Sequence, residues 1–343
     1  MRAGIALACV AACSAPATLP ELVQAEQRDD RGDVDGAVAS FRAAQGTCGA
    51  LRPKTRAQIA CGEALLGEPE ALEHGGRLDA AIAAYLAVPA RAGTDGATAA
   101  TALLRAGELL AKAGKAEPAW TAYWKVVTDY PDEGAAADAV KALLDDGRGR
   151  DAKALADQLG NALTPLAETQ VADNLVWSLA DLYAHELDRP DTARALYDRI
   201  PIDYPDSGLR DDARWFAAKL SEQLGDYPGA ATRLRALLKT REVSWFGGSY
   251  FSIWLDDAQL ELGKVLRDHL NDLSGAAAAF RRLPKDYPAS ILRDDALYEL
   301  EVTLAAGGNA AGACRALADL VKLEADSKYM PDARVLGERE GCK

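Results

Sequence analysis

One phrase occurs twice in this chain and limits what it can fold into. Asp203-Tyr204-Pro205-Asp206-Ser207-Gly208-Leu209-Arg210-Asp211-Asp212-Ala213 returns as Asp286-Tyr287-Pro288-Ala289-Ser290-Ile291-Leu292-Arg293-Asp294-Asp295-Ala296, every position shifted by 83. A weaker copy, Asp129-Tyr130-Pro131-Asp132-Glu133-Gly134-Ala135, lies 74 residues upstream of the first. Recurrence at this scale points to stacked supersecondary units rather than one closed core.

The phrase reads as the joint between two helices. Proline lacks an N–H and disfavours helix in the residue before it, so each Tyr-Pro ends a helix. Ser207 and Ser290 are expected to cap the next helix, and the Asp-Asp pairs suit its positive N-terminal end. Ala213, Phe216, Ala217, Leu220 and Leu224 then form one apolar face at helical spacing. That helix stops at Gly225-Asp226 and its counterpart at Gly308-Asn309, where glycine supplies a left-handed cap. A second helix follows each stop, so the unit is a helical hairpin.

The second helices are traced by a small residue followed four later by an aromatic or leucine. The series is Ala37 and Phe41, Ala81 and Tyr85, Ala119 and Tyr123, Ala193 and Tyr197, Ala230 and Leu234, Ala276 and Phe280, Ala313 and Leu317, with a degenerate member near Ala152. Intervals between the small residues run 44, 38, 33, 41, 37, 46 and 37. The expected fold is all-α, a solenoid of about eight irregular helical hairpins.

This pattern resembles tetratricopeptide repeats, well over residues 95–325 and loosely over 21–94. The small-x-x-x-aromatic second helix, the closing Asp-Tyr-Pro-x-Ser and the opening Asp-Asp-Ala are similar in wording to bacterial envelope lipoproteins of the BamD and CpoB (YbgF) type. The resemblance implies a part in outer-membrane assembly or maintenance through protein contacts. It transfers no individual functional residue.

The N-terminus fits that implication. Met1-Arg2 and the apolar run Ala3 to Ala12 read as a short secretory signal, too short to span a bilayer. Val10-Ala11-Ala12-Cys13 resembles the lipoprotein cleavage box, which implies acylated Cys13 and, with Ser14 beside it, an outer-membrane address facing the periplasm. A plain signal peptide or a cytoplasmic N-terminus is the other reading. The organisation is then 1–12 signal peptide, 13–20 tether, 21–94 degenerate N-terminal repeats and 95–343 superhelix. Cleavage before Cys13 leaves Cys48, Cys61, Cys314 and Cys342, a pair near each end. In an oxidising compartment they are expected as disulfides, each worth about 3 kcal/mol, that replace packing missing from the end repeats. Reduced, buried thiols are the alternative.

Charge narrows the partners. The net charge of −13 argues against nucleic acid and anionic lipid surfaces, both of which need clustered Lys and Arg, and a partner steered by charge is expected to be basic. Chemistry is hard to find. His74, His185 and His269 have no metal-site spacing, no nucleophile elbow or phosphate loop is present, and no cofactor is expected. Dipole complementation accounts for the Asp-Asp pairs without catalysis.

One stretch breaks the rhythm. Val243 to Trp254 falls in the longest interval and holds Trp245, Phe246, Tyr250, Phe251 and Trp254. Aromatics on a loop anchor partners, so these five are candidate partner-binding residues. In the competing reading, Tyr250, Phe251 and Trp254 open the next helix and pack between hairpins. Trp120, Trp124, Trp177 and Trp215 lie in helical stretches and are expected in the core. The function that emerges is a non-catalytic, lipid-anchored scaffold holding a protein or peptide. The alternatives are a soluble secreted or cytoplasmic adaptor, or a carbohydrate-binding module using the 245–254 aromatics.

Overall fold

A computed structural model describes residues 20–46, 48, 56–147, 151–240 and 252–343. Cys13, Trp245, Phe246, Tyr250 and Phe251 lie outside the described residues. Those residues contain seventeen α-helices and no strand. They cluster into two compact units, Met1–Gly147 with Thr164–Ala172, and Arg148–Leu163 with Asp173–Lys343.

The first unit holds α1 (Pro20–Asp29), α2 (Val34–Gln45), α3 (Arg56–His74), α4 (Leu78–Ala87), α5 (Gly96–Lys112), α6 (Ala116–Asp129) and α7 (Gly134–Gly147), with a 3-10 turn at Val88–Ala90. The second contains most of α8 (Ala152–Leu166) and α9 (Ala172–His185), and all of α10 (Pro190–Asp203), α11 (Arg210–Gln223), α12 (Tyr227–Leu238), α13 (Leu255–Asp268), α14 (Leu273–Asp286), α15 (Arg293–Ala306), α16 (Ala310–Leu323) and α17 (Met330–Arg339). The helices follow in the expected order, with α17 added at the end. Within each unit helices pack chiefly on their neighbours in sequence, the mark of a repeat array.

Small residues set the helix spacing. Ala37, Ala81, Ala119, Ala193, Ala230, Ala276 and Ala313 are all fully buried, and Tyr85, Tyr197 and Phe280 are among the largest buried side chains. The ring four residues on needs a glycine or alanine to face it. A Cβ at Gly263 of α13 would strike the Phe280 ring, and one at Gly107 of α5 would strike Tyr123. The fit is therefore between a missing side chain and a large one.

The turns follow the sequence logic with one correction. Asp129, Asp203 and Asp286 end α6, α10 and α14, and the tyrosine before each proline is the cap residue. Gly225 and Gly308 adopt φ of 75° and 71° after the first helices, and Asn271 takes the same place at φ 53°. Ser207 and Ser290, however, do not cap α11 and α15, whose N-cap residues are Leu209 and Leu292. Each serine Oγ instead accepts the N–H of that leucine at 3.0 Å and so holds the turn ahead of the helix. Real side-chain caps open the second helices. Asp226, Asp272 and Asn309 accept the N–H of Gly229, Gly275 and Gly312 at 3.0, 2.8 and 2.9 Å, and a Cβ on those glycines would collide with the capping group.

Ser290, and Ser327 in the corresponding turn after α16, also tie one repeat to the next. Ser290 Oγ donates to Asp256 of α13 at 2.6 Å, and Ser327 Oγ donates to Asp294 of α15 at 2.8 Å. Asp211 of α11 accepts from Thr240 at 3.0 Å in the equivalent place. The first aspartate of each Asp-Asp pair thus receives a hydroxyl from the loop of the following repeat, a function beyond its dipole role.

The two cysteine pairs lie at the array ends in disulfide geometry. Cys48 and Cys61 are 5.6 Å apart at Cα, and Cys314 and Cys342 5.2 Å. The second joins α16 to the residue-342 end of the chain beyond α17. Beside the first, buried Glu68 of α3 is bound by Arg42, Arg91 and Gln45, so its charge is fully paired.

Glu301 breaks the small-residue rule. It lies six residues after Asp295, the place Gly263 holds six after Asp257, and the ring of α14 becomes the smaller Leu317 in α16. Glu301 is fully buried and neither carboxylate oxygen has a hydrogen-bond partner. Burial pushes its carboxyl up to about 7. A carboxyl raised on folding is protonated in both states below about 4.3, so it carries no penalty there; stability falls as pH climbs from there to about 7 and levels off above it. The loss expected between pH 5 and pH 8 is on the order of 3 kcal/mol. Glu301→Gln should flatten that slope and raise the thermal midpoint at pH 8 but not at pH 5, as differential scanning calorimetry would read.

Candidate binding surface on the first helices

In the second unit the first helix of each pair turns a row of large side chains outward. Trp215, Lys219 and Glu222 fall on one face of α11 at helical spacing; Asp257, Glu261 and Lys264 do the same on α13. The repeat packing brings these faces side by side.

An aromatic chain runs across them. Trp177 of α9 meets Tyr197 edge-on at 4.9 Å and Phe216 at 5.6 Å; Phe216 meets Trp254 at 5.8 Å, and Trp254 stacks on Trp215 at 5.1 Å and 11°. Trp254 is the N-cap residue of α13, and its indole N–H donates to Asp212 at 2.6 Å. It is therefore built into the junction between repeats while remaining half-buried. Trp120, Trp124, Trp177 and Trp215 are likewise half-buried rather than enclosed in the core as expected, and Leu224, placed on the apolar face by its spacing, is exposed. Helical periodicity tells which face a residue occupies but not how completely neighbouring repeats cover that face.

Beside the aromatics sits a carboxylate pair. Lys219 donates to Glu222 at 2.8 Å and to Glu261 of the next first helix, and its ammonium lies 5.8 Å from the Trp215 ring centroid. Burial and the neighbouring Glu261 push the Glu222 carboxyl up to about 7. Glu261 is held below its ordinary range: burial works against this, but hydrogen bonds from Glu222 and Lys219 outweigh it. The two carboxylates come from successive first helices and flank one ammonium. Farther along, Tyr298 stacks on Tyr329 at 4.7 Å, and the Tyr329 hydroxyl donates to Asp295 at 2.6 Å. The second aspartate of the repeated pair thus serves an aromatic of the next repeat, as Asp212 serves Trp254.

This band is acidic and aromatic, which suits a cationic side chain: carboxylates supply charge and ring faces supply cation–π contact. Sequence reading named Trp254 but missed Glu222, Glu261 and Lys219. A Lys-x-x-Glu on α11 and a Glu-x-x-Lys on α13 are visible in the chain, but pairing them requires the inter-helix register.

The histidines remain separate. His74 contacts Asp29 at 2.8 Å, His185 lies 3.7 Å from Asp181, and His269 stacks on Tyr227 at 3.7 Å. Among the described residues no group of three His, Cys, Asp or Glu is arranged to hold a metal, and no helix is long and apolar enough to cross a membrane.

Trp254→Ala removes a stacked ring and leaves Asp212 without its donor. We expect a loss of about 2–3 kcal/mol, below the cost of a fully buried tryptophan, measured by urea unfolding. An unchanged midpoint would show that the ring is not part of the junction.

Among solved structures the chain is similar to PilW, a type IV pilus biogenesis factor, at 15% identity over 68% of this chain and 98% of that one, TM-score 0.40. It is similar to YrrB, described as a tetratricopeptide protein with an unusual peptide-binding site, at 14% over 69% and 92%, TM-score 0.37. It is also similar to Pseudomonas aeruginosa pilF, at 12% over 80% and 94%, TM-score 0.32. No curated protein matches the sequence significantly. The tetratricopeptide repeat family matches residues 176–207 and 257–290, spanning α9–α10 and α13–α14. The chain therefore contains tetratricopeptide repeats, set within a longer array of paired helices that presents surfaces for protein binding.

Proposed function

We propose that this protein is a non-catalytic scaffold whose first-helix surface in the second unit captures a basic segment of a protein partner. The observation that carries the reading is the Trp215–Trp254 stack beside Glu222 and Glu261, which flank Lys219. Repeat arrays offer extended surfaces of this kind, and aromatic anchors next to charge supply affinity and orientation. Trp245, Phe246, Tyr250 and Phe251, which lead into Trp254, are assigned to the same partner surface.

We assign the scaffold to the bacterial envelope, acylated at Cys13 and facing the periplasm, in the manner of BamD- and CpoB-type lipoproteins. The cleavage-box resemblance at residues 10–13 and the two cysteine pairs in disulfide geometry support an oxidising compartment. Mass spectrometry of membrane-derived protein should find an N-terminal peptide beginning at Cys13 and carrying diacylglyceryl and amide-linked acyl groups. An unmodified N-terminus would make the protein a soluble adaptor instead. For the surface itself, a lysine- and arginine-rich peptide should quench the tryptophan fluorescence on binding. Glu222→Gln combined with Glu261→Gln should weaken that binding about tenfold, the scale of a lost charged contact, and unchanged affinity would remove the assignment.

A further inference from the structure

The overall charge of −13 conceals a segregation between the two kinds of helix in the last three pairs of the second unit. First helices α11, α13 and α15 carry eleven Asp and Glu against six Arg and Lys, whereas second helices α12, α14 and α16 carry seven Arg and Lys against two Asp. The cationic helices bound two successive clefts.

The first cleft, about 510 Å³, opens between α12 and α14 over α13. Its floor is Leu262 and Leu266, its wall includes Gly275 and Ala278, and its rim bears Arg235 and Lys239 on one side and Arg282 on the other. The second, about 380 Å³, opens between α14 and α16 over α15. Leu297, Leu300 and Leu304 form its floor; Arg281 and Lys285 face Arg315 across it, with Asp319 also on the rim. Arg281 and Arg282 are neighbours on α14 and serve one cleft each. On α12 and on α14 the rim cations stand four residues apart, one helical turn.

Pairing separates these cations from those of the first helices in this unit. On the first helices Lys219 is bound by Glu222 and Glu261, Arg267 by Asp268 and Glu299, and Arg293 by Glu324. Among the described residues Arg235, Lys239, Arg281, Lys285 and Arg315 have no ion pair and no side-chain hydrogen bond, while Arg282 reaches Asp286 at 3.1 Å within its own helix. Five cations without an ion pair thus line the rims of two leucine-floored clefts.

We infer that the second-helix face of this unit docks an acidic amphipathic helix of a partner protein, its leucine-like stripe entering a cleft and its carboxylates reaching the rim. Charge complementarity selects the sign, and the spacing of the rim cations matches carboxylates at i and i+4. The shape selects a helix over a membrane: the floor leucines lie at the bottom of a cleft between two helices, where side chains from a rod can reach and a flat bilayer meets only the rim. The net charge alone suggests a basic partner, which suits the first-helix surface; the local sign of this surface is the opposite.

The test uses the full chain and three probes. They are a fluorescent helical peptide of about five turns with a leucine stripe flanked by glutamates, the same peptide with lysine for glutamate, and phosphatidylglycerol vesicles. The glutamate peptide should bind, more weakly as salt rises, and Arg281→Glu or Lys285→Glu should raise its Kd about tenfold; both residues are exposed, so the thermal midpoint should hold. The lysine peptide should retain its affinity for those variants, which keeps this surface distinct from the acidic band on the first helices. Absence of glutamate-peptide binding, binding indifferent to both reversals, or vesicle binding abolished by them would each overturn the inference.

Discussion

A hydroxyl from one repeat held by a carboxylate of the repeat before it fixes the register of the second unit. Ser290 on Asp256 and Ser327 on Asp294 join loop to first helix across two junctions, with Thr240 on Asp211 in the same role at a third. Apolar contact alone would leave successive hairpins free to slide, since alanine faces are nearly uniform along a helix. A short hydrogen bond to a charged acceptor is directional and sets one position. Once the register is set, Asp212 meets Trp254, Asp295 meets Tyr329, and Lys219 falls between two glutamates from different repeats.

From that register follow two faces of opposite character. The first helices present paired acids, paired cations and aromatics; the second helices present unpaired cations over apolar floors. A scaffold with two chemically distinct sides can hold two partners of opposite charge without competition between them. Such a division needs no change of fold, because charge on a solvated helix face costs little while the buried alanines and rings remain in place.

Much of this architecture was legible in the chain because its determinants are local. Proline after Tyr204 and Tyr287, glycine at 225 and 308, and the Ala-x-x-x-aromatic spacing each act within a few residues, and the helices fall where they indicate. The misreadings share a cause. Ser290 looked like a helix cap because its near neighbours suggested one, whereas its second partner lies in α13. Trp177 and Trp215 looked like core because periodicity cannot report how far the next repeat extends over a face. Glu222 and Glu261 lie 39 positions apart across the longest interval in the repeat series, so no fixed offset would have paired them. Bulk charge averaged away the contrast between first and second helices.

Native-state hydrogen exchange on Asp294→Ala addresses the interlock most directly. In a nearest-neighbour array, loss of one junction should lower amide protection in α15, α16 and α17 while α9 and α10 keep theirs. Uniform loss of protection through the second unit, or none, would contradict the view that hydroxyl–carboxylate junctions hold successive repeats in place.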